Sequence, residues 1–379
     1  MRIVAITPNF YPHKGGGENY VLNLGIELAK KHEFTVICPA IMKKGRHQIG
    51  NIEVYYLPYK TIFGTDVIST WHMYNTIRLL KPNIIHGHGP SVSQDIGLFL
   101  SKILRIPMVT TYHASIDLRR TISRIYMKFC VSIVLRNMEK VIVTSKSTYS
   151  KMQSKTGIHR SNIVFIPVGV HYDIFNNVQN ANVIRQKFDL KEKKIVLFVG
   201  RLDNRHLYKR LDLLINSITL VKKKIQNIHL MVVGDGGNIS QYRLLVQSLG
   251  IQNDVSFHTN VRDDELPYWY SAADAFVLPS PSDEEGFGIV LLEAMSAGIP
   301  VITSDACGGA FSIQEGKSGL LYKAYDIDDL SCKIITILTN DALSSEMTKN
   351  GKEYAKAYDW KVIVKAVESI YLGAIGQFG

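Results

Sequence analysis

Short apolar runs of strand length alternate with helix-length segments along the chain, and the series is then built a second time. The first series is RIVAIT, FTVIC, IEVYYL, NIIHGH, PMVTTY, KVIVTS and NIVFIP, with a helical pattern near residues 17–31. The second begins after residue 190 with KIVLFVG, HLMVVG, DVSFH, DAFVLPS and PVITS. Near-continuous apolar runs are what a strand needs when helices cover both faces of its sheet, so each series predicts a doubly wound parallel α/β domain. The segment PVGVHYD, 167–173, carries Pro and Gly between the series and marks the connection. The expected division is 1–172, 173–359 and a terminal stretch 360–379. A chain of 379 residues is long enough to bury two such cores.

Composition removes several other classes. Apolar residues make up 46% and charged residues 20%, the mix of a globular protein and not of a disordered or fibrous one. No run of 18 uncharged apolar residues occurs, so no membrane span is expected. The opening MRIVAITPNF reaches Pro8 and then glycines without a cleavage site and reads as a first strand, not a signal peptide. Cys38, Cys130, Cys307 and Cys332 lie far apart with no CxxC pair, which argues against zinc and a disulfide framework and fits a reducing, intracellular setting.

Charge is unevenly placed. Residues 1–172 hold 22 Lys/Arg against 8 Asp/Glu, whereas residues 173–379 hold 22 against 25. The basic first half points to an anionic partner, either a membrane surface, a phosphorylated lipid or nucleic acid, or else to a face that keeps the protein soluble. Leu118 to Lys140 reads as a helix with Arg119, Arg120, Arg124, Lys128, Arg136 and Lys140 among apolar residues. It fits an anionic membrane or a core helix with a solvated basic face.

Doubly wound sheets bind ligands beyond the carboxyl ends of their strands, so function is sought in the loops there. After DAFVLPS come Glu285, Gly286, Phe287, Gly288 and Ile289, and then a helix carrying Glu293. Glycines let backbone approach a ligand, and a helix starting near Gly288 offers unpaired N–H groups to an anion such as a diphosphate. After KIVLFVG come Arg201, Lys209 and Arg210, fixed cations that can stabilise charge on a departing diphosphate. Gly15, Gly16 and Gly17 follow the first strand and open a helix, His113 follows PMVTTY, and His86 and His88 follow a third strand as cleft-lining or structural residues. Asp326-Ile327-Asp328 imitates a metal-binding DxD, but N-capping explains it better.

These motifs, in this order, resemble the retaining GT-B glycosyltransferases, especially family 4 (group 1 glycosyltransferases). Glu285 and Glu293 match the E-x7-E signature, the Arg201 to Lys209 segment resembles the G-R-L…K-G region, and Gly16-Gly17 resembles the N-terminal glycine loop. Asp274, Gly308-Gly309, Gly316 to Leu321 and Tyr358-Asp359-Trp360 extend the match, while Arg210 stands where glycine is usual and Ser312 where glutamate is common. The resemblance implies two Rossmann-like domains facing across a cleft, with residues from Trp360 onward crossing back onto the first. It assigns Glu285 to donor-sugar hydroxyls, Glu293 to the ribose, Arg201 and Lys209 to the diphosphate, and His113 to a place beside the donor sugar. Gly16, Gly17, Gly286, Phe287, Gly288 and Ile289 would line the donor. The implied reaction takes a UDP- or GDP-linked sugar to a glycan or lipid-linked acceptor in cell-envelope polysaccharide, glycolipid or glycoprotein glycan synthesis. It needs no metal or other cofactor, has no nucleic-acid partner, and sits in the cytoplasm or peripherally on the inner face of the membrane. The competing readings are a nucleotide-sugar epimerase or phosphorylase on the same fold, and a non-catalytic basic protein that binds nucleic acid or membrane.

Overall fold

The computed structural model describes residues 1–13, 15–62, 65–113, 132–155, 158–178 and 182–378. It divides into two compact units, Met1–Gly169 with Trp360–Gly379, and Val170–Asp359.

The first unit holds β1 (Arg2–Ile6), β2 (Glu33–Pro39), β3 (Gly45–Ile49), β4 (Ile52–Leu57), β5 (Tyr59–Ile62), β6 (Thr65–Ile68), β7 (Ile84–Gly89), β8 (Met108–Tyr112), β9 (Lys140–Val143) and β10 (Ile163–Phe165). Eight strands form one sheet in the order β10-β9-β8-β7-β1-β2-β4-β3. The seven apolar runs of the first series are its seven parallel strands. Their side chains, among them Val4, Ile6, Ile37, Ile85, Val141 and Val143, form one continuous buried core, each contributing about 1.5–3 kcal/mol of burial.

The expected parallel sheet is present, and its edge carries one further strand that the apolar runs do not include. β3 runs antiparallel to β4, with Ile49 opposite Ile52 across a two-residue Gly50-Asn51 loop. Gly50 takes φ +55, the left-handed conformation that such tight hairpins need. β3 is polar and exposed, GRHQI, as an edge strand that discourages further pairing tends to be, so no apolar run announces it. In the small β5–β6 hairpin β5 is mostly exposed while Val67 and Ile68 of β6 are buried, and the pair lies outside the expected series.

The helix Trp360–Phe378 belongs to this unit. Trp360 is fully buried, and a Cβ on Gly169 would stand 2.5 Å from its indole, so only glycine fits there. Glu368 meets His32 at 2.7 Å. Of the basic segment from Leu118 to Lys140, residues 118–131 lie outside the described residues, while Ser132–Arg136 is helical and Lys140 opens β9. No helix among the described residues is long and apolar enough to cross a membrane.

The second unit holds β11 (Lys194–Val199), β12 (Ile228–Val233), β13 (Val255–His258), β14 (Ala275–Leu278), β15 (Val301–Ser304) and β16 (Gly319–Tyr322), all parallel, in the order β13-β12-β11-β14-β15-β16. Five of the six are the runs of the second series, and β16 adds an edge. Asp274 is an anchor of this sheet: its carboxylate accepts from Arg185 at 2.8 Å and from the Ile195 N–H at 2.6 Å. Each sheet reverses its strand order once, between β1 and β7 and between β11 and β14. Helices leave such a point toward opposite faces, opening a crevice beyond the strand ends.

Candidate active site

The second unit's switch point is flanked by the loops that follow β11 and β14. In the first loop, Asp203 accepts from the Arg205 N–H at 2.9 Å and from His206 Nδ1 at 2.7 Å, capping the 3₁₀ turn Asn204–Lys209. Arg201 Nε lies 3.4 Å from the same carboxylate. The His206 hydrogen bond leads in holding the Asp203 carboxyl below its usual range. This turn buries Lys209 and pairs its ammonium with the carboxylate of Glu285, 76 positions further on. Arg210 turns elsewhere: it adopts φ 50 and its guanidinium donates side-on to Asp212 at 2.9 and 2.7 Å. Of the two neighbouring cations, the structure brings Lys209 to the acidic loop and ties Arg210 to the start of the helix Leu211–Lys222.

The loop after β14 ends at Gly288, whose φ of +72 caps the helix Ile289–Ala297 without any side-chain cap. A substituted residue there would be strained; the Leu291 N–H donates to the Gly288 carbonyl at 2.8 Å, and the first N–H groups of a helix suit an anion. Gly308 and Gly309 form the floor of this loop. A Cβ on Gly308 would stand 2.2 Å from the Glu285 carbonyl oxygen, and one on Gly309 would stand 2.6 Å from that of Phe287. Phe287 is buried against Phe311 and Tyr358.

Glu293 sits in the second turn of the helix, where it accepts from the Tyr270 hydroxyl at 2.7 Å. Burial pushes its carboxyl up to about 7, so the group is poised between acid and carboxylate at neutral pH. Cys307 lies nearby, but burial pushes its thiol up to about 11, which removes it as a nucleophile.

The first unit's switch point carries a pocket of about 270 Å³ walled by Thr7, Gly17, Glu18, His88, Pro90 and His113. The helix Gly16–Leu28 begins here, and a Cβ on Gly17 would meet only the His113 ring, at 3.9 Å. Lys14 lies outside the described residues. His113 is half-buried, its backbone N–H donates to the Gly89 carbonyl at 3.0 Å, and its Nε2 is 3.1 Å from His88 Nδ1. Burial lowers its imidazole to about 4, so it is neutral at physiological pH. The two readings of the strand histidines separate: His88 reaches the pocket wall, whereas His86 is sealed in the interior between Tyr371 and Thr111.

Several partners have no local signal in the sequence. Tyr270 meets Glu293 from 23 positions away and Tyr371 meets His86 from 285, so neither spacing nor periodicity selects them. Glu18 was within reach of a sequence reading, as the acidic residue in the first turn after the glycines. Asp326 caps the helix Ile327–Thr339 through the Asp329 N–H, as expected of it. Among the described residues no cluster of three His, Cys, Asp or Glu is placed to hold a metal ion, and Cys38, Cys307 and Cys332 are free thiols.

Two Rossmann-like sheets, each with polar loops at its switch point, define a protein of the GT-B class. Residues 14–173 match the family model described as Glycosyltransferase Family 4, and residues 180–354 match the one described as Glycosyl transferases group 1. The chain belongs to this family. It is 26% identical over 380 residues to the phosphatidyl-myo-inositol mannosyltransferase of Mycobacterium leprae, covering 98% of this chain and 96% of that one. It is 28% identical over 304 residues to the sulfoquinovosyl transferase of Arabidopsis thaliana, covering 77% of this chain but 57% of that protein, so the chain spans little more than half of that relative. Among solved structures it resembles Anabaena HepE in complex with UDP, with a TM-score of 0.79 at 18% identity over 98% of this chain and 100% of that one.

Proposed function

We propose that the protein transfers a sugar from a UDP- or GDP-linked donor to a glycan or lipid-linked acceptor, with retention of anomeric configuration and no required metal. The observation that carries this reading is the pairing of Lys209 with Glu285 at the β11/β14 switch point, ahead of a helix whose second turn carries Glu293, a carboxyl poised near neutrality. A buried ion pair costs desolvation unless both charges are otherwise satisfied. A diphosphate offers Lys209 a denser negative charge, with Arg201 and the leading N–H groups of the helix Ile289–Ala297 as further donors. Glu285, so released, accepts hydrogen bonds from donor-sugar hydroxyls. Glu293 accepts from a ribose diol, and those O–H donors favour its ionised form.

In this reading Gly286, Phe287, Gly288 and Ile289 line the donor, while Gly16, Gly17 and His113 contact substrate hydroxyl or phosphate groups in the first unit's pocket. Charge leaving with the nucleoside diphosphate is stabilised by fixed cations and dipoles, and the acceptor attacks from the face the leaving group vacates. No side chain is assigned as a covalent nucleophile. A relative named for phosphatidyl-myo-inositol and the basic first half together favour a lipid-linked or anionic acceptor at the cytoplasmic face of the membrane.

The test is transfer of radiolabelled sugar from UDP- and GDP-linked donors into a lipid extract and, separately, into glycan acceptors, with the product's anomeric configuration read by NMR. Label in an acceptor with the donor's configuration supports the reading. Interconversion of the nucleotide-sugar with no label transferred would make the protein an epimerase instead.

A further inference from the structure

Three imidazoles stand in line in the first unit. His86 and His88 are two residues apart on β7 and therefore share a face, with ring centroids 4.1 Å apart. The rings of His88 and His113 have centroids 5.4 Å apart and planes within 16° of one another. Burial lowers all three below the ordinary histidine value, so the line is neutral at physiological pH.

The ring nitrogens can be accounted for one by one. His86 Nδ1 meets the Tyr371 hydroxyl at 2.6 Å and its Nε2 meets Thr111 Oγ1 at 2.8 Å. A hydroxyl donates or accepts as needed, so His86 imposes no direction. His88 Nδ1 and His113 Nε2 are 3.1 Å apart, and between two neutral imidazoles one nitrogen must carry the proton and the other must be bare. His88 Nε2 is buried with no hydrogen-bond partner. If His113 were the donor, His88 would carry its proton on that sealed nitrogen. Buried N–H groups without an acceptor are the rarer kind of orphan, so the opposite direction is favoured.

We propose that His88 is a positioning residue for His113: by donating from Nδ1 it holds His113 in the Nδ1–H form, which turns a hydrogen-bond donor toward a hydroxyl or phosphate oxygen of the substrate. The inference rests on the reading of His113 as a substrate contact. A neutral imidazole in water prefers its proton on Nε2, so the held form departs from the default and can be measured directly.

The experiment is NMR of the full-length protein labelled with ¹⁵N-histidine at pH 7, with the His113 signals assigned by their loss in His113→Ala. The expected spectrum has a protonated Nδ1 and a bare Nε2 at His113, and a protonated Nε2 would overturn the proposal. Two variants separate positioning from packing, with turnover followed as nucleoside diphosphate release from UDP-glucose and GDP-mannose. His88→Asn can donate from near the Nδ1 position and should keep the His113 signature, with kcat within about twofold. His88→Gln places its amide toward the Nε2 position and should lose the signature, with kcat lowered about tenfold and KM little changed. Equal losses in both variants, matched by equal falls in melting temperature, would make His88 a packing residue and overturn the proposal. Full turnover in His113→Ala beside an Nδ1–H signature in the wild type would overturn the substrate role of His113, while the hold of His88 on its tautomer would stand.

Discussion

Glu293 joins two opposed demands in one side chain. Burial raises its folded-state value from 4.5 to about 7, so between those limits the folded protein holds a proton that the unfolded chain has released. Its contribution to stability is therefore full below pH 4.5 and is lost as pH rises to 7, by up to about 3 kcal/mol. Glu293→Gln keeps an acceptor for Tyr270 and removes the charge that burial penalises. It should melt at a higher temperature than the wild type at pH 8 while binding nucleotide about tenfold or more weakly, as read by thermal melts with and without ligand. A lower melting temperature with unchanged binding would contradict the account of this residue. The sequence made part of this site legible: the seven-residue interval between Glu285 and Glu293 and the loop-to-helix context select the pair. It could not select Tyr270 or decide between Lys209 and Arg210. Those facts depend on contacts spanning 23 and 76 positions and on the turn that Asp203 caps.

The element that presents Glu285 is a loop held from below by two glycines. Gly308→Ala would drive a Cβ to 2.2 Å from the Glu285 carbonyl oxygen, whereas Gly286→Ala would place one in open space. Gly308→Ala should cost about 1–3 kcal/mol of stability as the loop lifts off, and Gly286→Ala within about 0.5 kcal/mol, in denaturant titrations of the two variants. Equal effects would mean that the floor does not set the loop. Apolar runs such as KIVLFVG and HLMVVG become strands because both faces of each sheet are covered. β3 and β5 are mostly exposed and carry no such pattern, though the Gly50-Asn51 pair was a turn signal. β16 is four residues long, and its Gly319 packs against the Val301 carbonyl, so it too lacks a strand-like run.

At the scale of the molecule, neutral buried or half-buried imidazoles outnumber, among the described residues, the one carboxyl that burial raises. Burial lowers His86 to about 3 and His113, His229 and His258 to about 4, with His88 lowered as well. Below pH 6.5 the unfolded chain takes up these protons and the folded protein does not, so stability is full above 6.5 and is lost as pH falls toward 4. The gain at Glu293 over the same range is a single group and should not offset five. Melting temperature should therefore fall steadily from pH 6.5 to 4.5, and a flat profile would mean that the histidines are not buried as described. The unequal charge of the two halves was plain in the sequence, whereas the placing of Trp360–Gly379 in the first unit was implied by the resemblance through Tyr358-Asp359-Trp360 and not by composition. It follows from Trp360 filling the space at Gly169 and from Tyr371 reaching His86, contacts that no local pattern records.

On the proposed reading, the second unit binds a nucleoside diphosphate through Lys209, Glu285 and Glu293. Thermal stabilisation of the full-length protein by UDP, GDP, ADP and their sugar conjugates tests it most directly, because ligand at 100 times its Kd adds about 2.7 kcal/mol. The account predicts a shift with UDP or GDP and their conjugates that is lost in Glu293→Ala. No shift with any nucleotide, or an equal shift in the folded variant, would contradict it.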